Sequence, residues 1–137
     1  MPNWTQPGLV DVPTITDELG SLGVVEGSAP FPFPIERVYF IHSVAPGAVR
    51  GSHAHKALRQ LIVAVSGSFT VTLDDGRETS AWPLDTPTVG LVVPPGYWRT
   101  LSEFTPGASA LVFASARYDP ADYIRDYEEF VAWARHG

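Results

Sequence analysis

The 137-residue sequence contains no cysteine, so disulfides, thiolate nucleophiles and cysteine-ligated zinc or iron–sulfur centres are excluded. It also lacks an apolar run of about 20 residues, the length that a transmembrane helix needs, and we expect no membrane partner. The N-terminus has no basic segment followed by an apolar one, which argues against a secretory signal. We therefore expect a cytoplasmic protein, an expectation to which the missing cysteines add only weak support.

Basic residues are scarce. Nine lysines and arginines stand against 15 acidic residues, which gives a net charge of -6 and an isoelectric point of about 5.0. A nucleic-acid-binding surface needs a basic stripe, so we expect no nucleic-acid partner. Three arginines, Arg37, Arg50 and Arg59, nevertheless lie near a histidine pair in the sequence. This clustering fits a site for an anionic small molecule and equally fits scattered surface charge.

Long regular elements are also missing, because 13 prolines and 12 glycines are spread along the whole chain. Short strands joined by tight turns are the expected result, and such a pattern is typical of a β-sandwich or barrel. The clearest predicted strands are 37–44, 58–67, 68–76, 88–96 and 109–118. In the third, Phe69, Val71 and Leu73 alternate with two threonines, and Asp75-Gly76 predicts a hairpin turn after it. Near the end of the chain, Asp119 and Pro120 have the pattern of a helix N-cap followed by the first helical residue. They predict one C-terminal helix over about 120–135.

The stretch RGSHAHKALRQ (50–60) contains two of the four histidines. On a strand, alternate residues share a face, so His53 and His55 are expected to point in the same direction. The frame around them resembles the first motif of the cupin superfamily. In that frame, Gly47, His53, His55, Gln60 and Gly67 occupy the fixed positions.

The segment PPGYWR (94–99) matches the frame of the second cupin motif, Pro-x-Gly-x-x-His. Metal-binding cupins coordinate their ion through two histidines, a Glu and a third His, but here the last two slots hold Gln60 and Arg99. An amide is a weak ligand, and a guanidinium cannot coordinate a cation. The resemblance implies an all-β cupin fold (a double-stranded β-helix or jelly-roll barrel) without a metal. It implies a single domain over 1–137, with an N-terminal strand arm at 1–30, a barrel at 31–118 and the C-terminal helix.

Three segments together carry a narrower resemblance: RVYFIHSVAPGAVRGSHAHKALRQ (37–60), LDDG (73–76) and YDPADYIRDYEEF (118–130). They resemble the nucleotide-sugar 3,4-ketoisomerases, small WxcM-like cupins of deoxysugar biosynthesis. The resemblance implies conversion of dTDP-4-keto-6-deoxyglucose into its 3-keto isomer through an enediol(ate), with no metal and no cofactor. It also implies a homodimer, often with the N-terminal region exchanged between subunits.

The resemblance suggests roles for the pocket residues. His53 occupies the position of the family's base, and we expect its imidazole to titrate near the working pH. His55 is the expected partner that moves the proton between O3 and O4, and Tyr39 is an expected hydroxyl donor. The remaining polar positions are expected to bind substrate: Arg50, Arg99, Arg37 and Gln60.

The product and three rival functions stay open. Family members carry His or Arg at the position of Arg99 and divide into those that give the gluco product and those that give the galacto product. Arg99 favours gluco, whereas Leu19, at another variable position, leaves galacto open. The rival functions are a nucleotide-sugar 3,5-epimerase, a metal-dependent cupin enzyme and a non-catalytic sugar-binding cupin.

Overall fold

The computed structural model describes residues 5–27 and 33–136. Residues 1–4 and 28–30 of the predicted arm lie outside the described part. The described part forms twelve strands, one short 3-10 helix at Pro120–Asp122 and one α-helix. The elements are β1 (Gly8–Asp11), β2 (Thr14–Asp17), β3 (Gly20–Gly23), β4 (Arg37–Ile41), β5 (Arg50–His55), β6 (Gln60–Ser66), β7 (Phe69–Asp74), β8 (Thr79–Leu84), β9 (Val89–Val93), β10 (Trp98–Ser102), β11 (Ser109–Ala114), β12 (Tyr123–Ile124) and α1 (Tyr127–His136).

Two five-stranded antiparallel sheets form the body of the fold. One has the order β1-β9-β6-β11-β4 and the other has the order β12-β5-β10-β7-β8. Alternation explains how they pack: in β7, Phe69, Val71 and Leu73 are buried, while the residues between them are partly exposed. These side chains meet buried residues of the other sheet, among them Ile62 and Leu91. Full burial of such side chains contributes about 1.5–3 kcal/mol each. The predicted jelly-roll fold with a C-terminal helix is confirmed.

The turn predicted from Asp75-Gly76 joins β7 to β8. The two strands pair antiparallel, with Asp74 opposite Thr79. Gly76 has a φ of +96°, a conformation that favours glycine, and its N–H donates to Asp74 Oδ1 at 2.7 Å. Strands β8 and β10 were not among the clearest predicted strands. Both contain bulky or polar residues that weaken the alternation, and they form because β7 lies beside each of them.

The C-terminal segment departs from its prediction. The predicted start of the helix near residue 120 is wrong, because only one 3-10 turn follows Asp119. The next residues form β12, in which Tyr123 pairs with His55 and Ile124 with Ala54 of β5. The α-helix begins at Tyr127. Burial of Ile124, which is 2% exposed, together with the pairing to β5, holds this segment in an extended conformation.

The helix has its own start signal. Asp126 Oδ1 accepts the backbone N–H of Glu128 at 2.9 Å, and Glu129 follows three residues after Asp126, as in a capping box. The helix packs through Phe130, which is fully buried against Ala54 and Ile124. It therefore supports β5 from outside. No helix in the described ranges is long and apolar enough to cross a membrane.

The described part of the N-terminal arm contains three strands, which divide between two places. β1 adds to the edge of the first sheet by pairing with β9. β2 and β3 form a separate two-stranded hairpin. Leu19 lies at its turn and is 92% exposed.

Candidate active site

A cavity of about 300 Å3 lies between β4, β5 and β10. The predicted site residues that line it are His53, Tyr39, Arg37, Arg50 and Arg99. His55 and Gln60 were also predicted, but neither lines the cavity. Both are buried just behind it, His55 against His53 and Gln60 against Tyr39. Gln60 is therefore placed to hold a pocket residue and not to touch a bound molecule directly.

Strand pairing brings the two cupin motifs together. In the β5–β10 ladder, Arg99 lies directly opposite His53. Gly51, two residues earlier on β5, has a φ of +67°, where a side chain would be strained. A Cβ there would lie 3.5 Å from the Arg99 guanidinium. Gly51 thus allows the backbone of β5 to adopt a positive φ next to the buried Arg99 side chain.

Arg99 is the centre of a polar network. Its Nε and Nη2 lie 3.3 and 3.1 Å from His53 Nε2, and Nη2 also donates to the Tyr39 hydroxyl at 2.9 Å. Gln60 Nε2 donates to the same hydroxyl at 2.8 Å. Arg99 is only 2% exposed, yet a guanidinium remains positively charged at neutral pH. A buried cation therefore faces His53.

This arrangement keeps His53 neutral. Burial, and after it the charge of Arg99, lowers the pKa of His53 from 6.5 to about 2. The expectation that His53 titrates near the working pH is wrong for the free protein, because a sequence motif reports neither burial nor the placement of the guanidinium. Since Arg99 donates to Nε2, the proton of the neutral ring lies on Nδ1.

Behind the pair, His55 contacts a carboxylate that the sequence analysis did not identify. His55 Nδ1 lies 3.0 Å from Asp122 Oδ2, in the 3-10 helix. Burial and Arg99 lower the pKa of His55 from 6.5 to about 4, and the hydrogen bond and charge of Asp122 oppose them. His55 is therefore neutral at neutral pH, and the contact is a hydrogen bond in which Nδ1–H donates to Asp122.

Tyr123 and Arg125 were missed as well. The Tyr123 ring packs on both imidazoles, with centroid distances of 4.9 Å to His53 and 4.3 Å to His55. Arg125 lies over the same ring at 4.2 Å, and both residues line the cavity. The run Asp-Tyr-Ile-Arg (122–125), already part of the resemblance, could have identified both residues as part of the site. They were missed because the run was interpreted as part of the C-terminal helix.

Cations dominate the cavity wall. Arg37 packs its guanidinium 5.1 Å from the Tyr39 ring centroid and lies 3.5 Å from the Tyr123 hydroxyl. Arg50 lies on the exposed side of the same wall, and Arg99 lies at its buried side. No acidic side chain is among the lining residues in the described part of the chain. The cavity is thus suited to an anion that carries a polar group inward to His53.

The residues present do not fit the metal that cupins commonly hold. Across 5–27 and 33–136, no three His, Cys, Asp or Glu side chains are grouped as metal ligands. The Nε2 lone pair of His53, which a metal would need, instead accepts hydrogen bonds from Arg99. A permanent cation at that position would also repel a metal ion.

Comparisons with known proteins agree with this site. The sequence matches the family FdtA (WxcM-like, C-terminal) over residues 5–135. It is 41% identical over 122 residues to a TDP-4-oxo-6-deoxy-alpha-D-glucose-3,4-oxoisomerase of Aneurinibacillus thermoaerophilus. The aligned residues cover 89% of this chain and 88% of the relative.

Two solved structures are similar throughout. QdtA, a sugar 3,4-ketoisomerase from Thermoanaerobacterium thermosaccharolyticum in complex with TDP, has a TM-score of 0.93 at 36% identity, covering 98% of each chain. WlaRB, a TDP-quinovose 3,4-ketoisomerase from Campylobacter jejuni, has a TM-score of 0.88 at 39% identity, covering 93% of this chain and 98% of the other. The resemblance inferred from the sequence motifs is confirmed: the chain belongs to the FdtA family of WxcM-like, C-terminal proteins.

Proposed function

We propose that this protein is a sugar 3,4-ketoisomerase that moves the keto group of dTDP-4-keto-6-deoxyglucose from C4 to C3. One observation carries the proposal: a neutral, buried imidazole and a tyrosine hydroxyl share a guanidinium at the wall of a cationic cavity. The first supplies a base, the second a hydroxyl proton, and the third a charge for an oxyanion. The ketoisomerase activities of the similar proteins support the same reaction.

The first step removes the C3 proton, which the neighbouring C4 ketone acidifies. In the free protein, the Nε2 lone pair of His53 accepts hydrogen bonds from Arg99. We therefore propose that Arg99 turns its donors to the substrate oxygen when the sugar binds. That exchange frees the lone pair of His53 and places a positive charge beside the enediolate as it forms. The negative charge of the enediolate then raises the pKa of His53 while the proton is transferred.

Tyr39 is suited to protonate a sugar oxygen. Its hydroxyl oxygen accepts hydrogen bonds from Gln60 and from Arg99, so its own proton is not used in either contact. That proton is available to an oxygen in the cavity. His55 lies behind His53, exchanges a proton with His53 and does not touch C3. Protonated His53, after exchange with solvent, then gives a proton to C4, and the O3 hydroxyl returns a proton to the Tyr39 oxygen. The ketone is left at C3, and no atom is gained or lost.

The outer part of the wall would hold the dTDP group. Arg50 and Arg37 line the same cavity as His53, and a diphosphate is bound well by guanidinium groups. Arg125 adds a third cation beside them.

We also propose that the reaction needs no metal. Gln60 and Arg99 occupy two positions that supply metal ligands in other cupins, and an amide is a weak ligand while a guanidinium cannot coordinate a cation. The product is the gluco isomer, supported by Arg99 and by the similarity to a TDP-quinovose ketoisomerase, since quinovose is 6-deoxyglucose.

Leu19 is the position that leaves the galacto product open. It lies on the exposed β2–β3 hairpin and is not among the residues that line the cavity. Arg99, by contrast, contacts both proposed proton-transfer groups, His53 and Tyr39. These contacts support the proposal that Arg99 influences which face of C4 is protonated, and the NMR experiment below decides between gluco and galacto.

The decisive experiment is NMR of dTDP-4-keto-6-deoxyglucose incubated with the protein in heavy water. We expect a 3-keto product with solvent deuterium at C4, and the coupling at that centre reports gluco or galacto. Deuterium at C5 would instead indicate a 3,5-epimerase. Activity lost in chelator and restored by a metal would contradict the metal-free reaction. Binding without turnover would indicate a sugar-binding module.

We further propose that the protein functions as a single-domain subunit of a homodimer. The support lies in β4, at the edge of the first sheet, where Val38 is 50% and Phe40 63% exposed. An exposed apolar edge strand is typical of a surface that pairs with another chain. Light scattering during size exclusion should give twice the 14.9 kDa chain mass. A monomer at micromolar concentration would contradict the proposal.

A further inference from the structure

The side chain of Asp122 lies outside the cavity, yet it contacts one of the two imidazoles. Its Oδ2 lies 3.0 Å from His55 Nδ1 and accepts the N–H of Leu58 at 3.3 Å. Its Oδ1 accepts the N–H of Ala57 at 2.7 Å. Two of these partners are backbone N–H donors, and a neutral imidazole can donate through Nδ1, so a group that only accepts would satisfy all three. A carboxylate meets that requirement with both oxygens.

The carboxylate is also held firmly in place. The backbone carbonyl of Asp122 accepts the N–H of Lys56 at 3.0 Å, and the next residue pairs with His55 in the β5–β12 ladder. Both the backbone and the side chain of Asp122 therefore bind the segment at the end of β5. Two backbone N–H groups fix the carboxylate whether or not the imidazole is present. His55 must adapt to the carboxylate, and not the reverse.

We propose that Asp122 is a positioning residue that sets the tautomer of His55, and that it thereby makes His55 a proton acceptor in the isomerisation. The inference deepens the proposed function and rests on it. Neutral His55 carries its proton on Nδ1, facing Asp122, and its lone pair on Nε2. Within the described ranges, His55 Nε2 is buried and has no hydrogen-bond partner. It is the atom left free to receive the Nδ1 proton of His53 once Nε2 of His53 has taken the C3 proton.

The His55 ring lies close enough to the cavity for its free Nε2 to take part in proton transfer. The His55 ring lies edge-on to His53 at 4.8 Å and against Tyr123 at 4.3 Å. Both neighbours line the cavity, so His55 is one residue removed from a bound sugar. In the opposite tautomer, Nε2 would carry a hydrogen and could not accept a second one. Asp122 therefore decides whether the inner imidazole can take part in proton transfer.

Replacement of Asp122 by asparagine tests the tautomer directly. The amide oxygen should keep the shorter contact with the N–H of Ala57, which places the NH2 group opposite His55 Nδ1 and Leu58. An NH2 donor there forces the proton of His55 onto Nε2. Nitrogen-15 NMR of the imidazoles distinguishes the two tautomers in the free protein. We expect a protonated Nδ1 in the native protein and a protonated Nε2 in Asp122→Asn.

Activity is measured on the same proteins. We expect kcat of Asp122→Asn to fall by about 100-fold or more, the usual scale of a lost acid–base group, while the affinity for dTDP stays within twofold. Asp119→Asn is the matched control. Asp119 caps the same 3-10 helix by accepting the N–H of Ala121 at 3.0 Å, and asparagine caps equally well. This control should keep the native tautomer and the native kcat.

Several results would overturn the inference. The first is a native spectrum with the His55 proton on Nε2, which decides the matter even when the variant does not fold. The second is an inverted tautomer with unchanged kcat, and the third is an equal loss of kcat in Asp119→Asn. Failure of the proposed function has a different signature: the native protein would not isomerise the sugar, while the nitrogen-15 comparison would still give its own answer.

Discussion

The Tyr39 hydroxyl joins the two sheets of the fold at the cavity. Tyr39 and Gln60 belong to the first sheet, and Arg99 belongs to the second. Both of these neighbours donate to the one hydroxyl oxygen, at 2.8 and 2.9 Å. A group that accepts from both sides is fixed in position before substrate enters, which reduces the reorganisation that the reaction must drive.

Tyr39→Phe should therefore impair both stability and turnover. The variant leaves two buried donors without their acceptor, at a cost of about 1–3 kcal/mol in the free energy of unfolding. We also expect kcat to fall by about 100-fold, because no hydroxyl proton reaches the sugar oxygen. Urea unfolding and steady-state kinetics measure the two effects. Tyr97→Phe is the control, because within 5–27 and 33–136 the Tyr97 hydroxyl hydrogen-bonds to Gln6 alone, at 3.2 Å. Its loss should change stability by about 0.5 kcal/mol or less.

Arg99 controls the basicity of His53, and a pH profile can measure that control. In the native protein the pKa of His53 is about 2, so the neutral fraction of the base is constant above about pH 4. We expect the kcat/KM profile to lack an acid limb near pH 6.5. Arg99→Gln removes the second-largest cause of the lowered pKa, so the acid limb should move to higher pH and kcat should fall. Identical profiles would contradict the assigned contact.

At the scale of elements, the sequence predicted structure best where the pattern lies within one strand and the turn that follows it. The alternation of β7 and the turn at Asp75-Gly76 are local, and both were predicted correctly. The cupin frame also relates His53 to Arg99, since fixed motifs place β5 and β10 in the same relative positions. This pairing joins residues far apart in sequence, and only the resemblance made it predictable.

The segment from Asp119 to Asp126 shows where local signals are insufficient. Two acidic N-caps lie within it, and the first was taken as the start of the helix. Nothing local reveals that Tyr123 and Ile124 pair with β5, because the partner strand lies far away along the chain. The error in the helix boundary is also why Asp122 and Tyr123 were missed as site residues. Hydrogen-bond partners and pKa values depend on the same tertiary contacts.

Helix α1 stabilises the strand that carries the histidines. Phe130 is fully buried and packs on Ala54, which lies between His53 and His55 in the sequence. We expect Phe130→Ala to lower the free energy of unfolding by about 3–5 kcal/mol through lost burial and a residual cavity. Urea unfolding measures the change. Glu129→Gln, on the exposed side of the same helix, should cost about 1 kcal/mol or less. Equal effects of the two variants would show that the helix does not pack as described.

At the scale of the whole molecule, the two buried imidazoles make stability depend on pH. In the unfolded chain each histidine takes up a proton below about pH 6.5. In the folded protein burial keeps His53 and His55 neutral to about pH 2 and pH 4. The unfolded state therefore binds more protons below pH 6.5, so stability must fall as the pH falls. Each histidine contributes a slope of up to about 1.4 kcal/mol per pH unit.

His53→Asn separates this contribution from the background of the acidic residues, which is common to both proteins. We expect the free energy of unfolding, measured in urea at pH 7, 6 and 5, to decline less steeply in the variant, by the slope of about one proton. The relative stability of the variant should therefore increase toward pH 5, although the same change abolishes the proposed base. A gain in acid stability coupled to a loss of isomerase activity would mean that the protein gives up stability to keep a neutral base in a cationic cavity. Parallel slopes would show that His53 is protonated in the folded state and would contradict its role as a buried, neutral base.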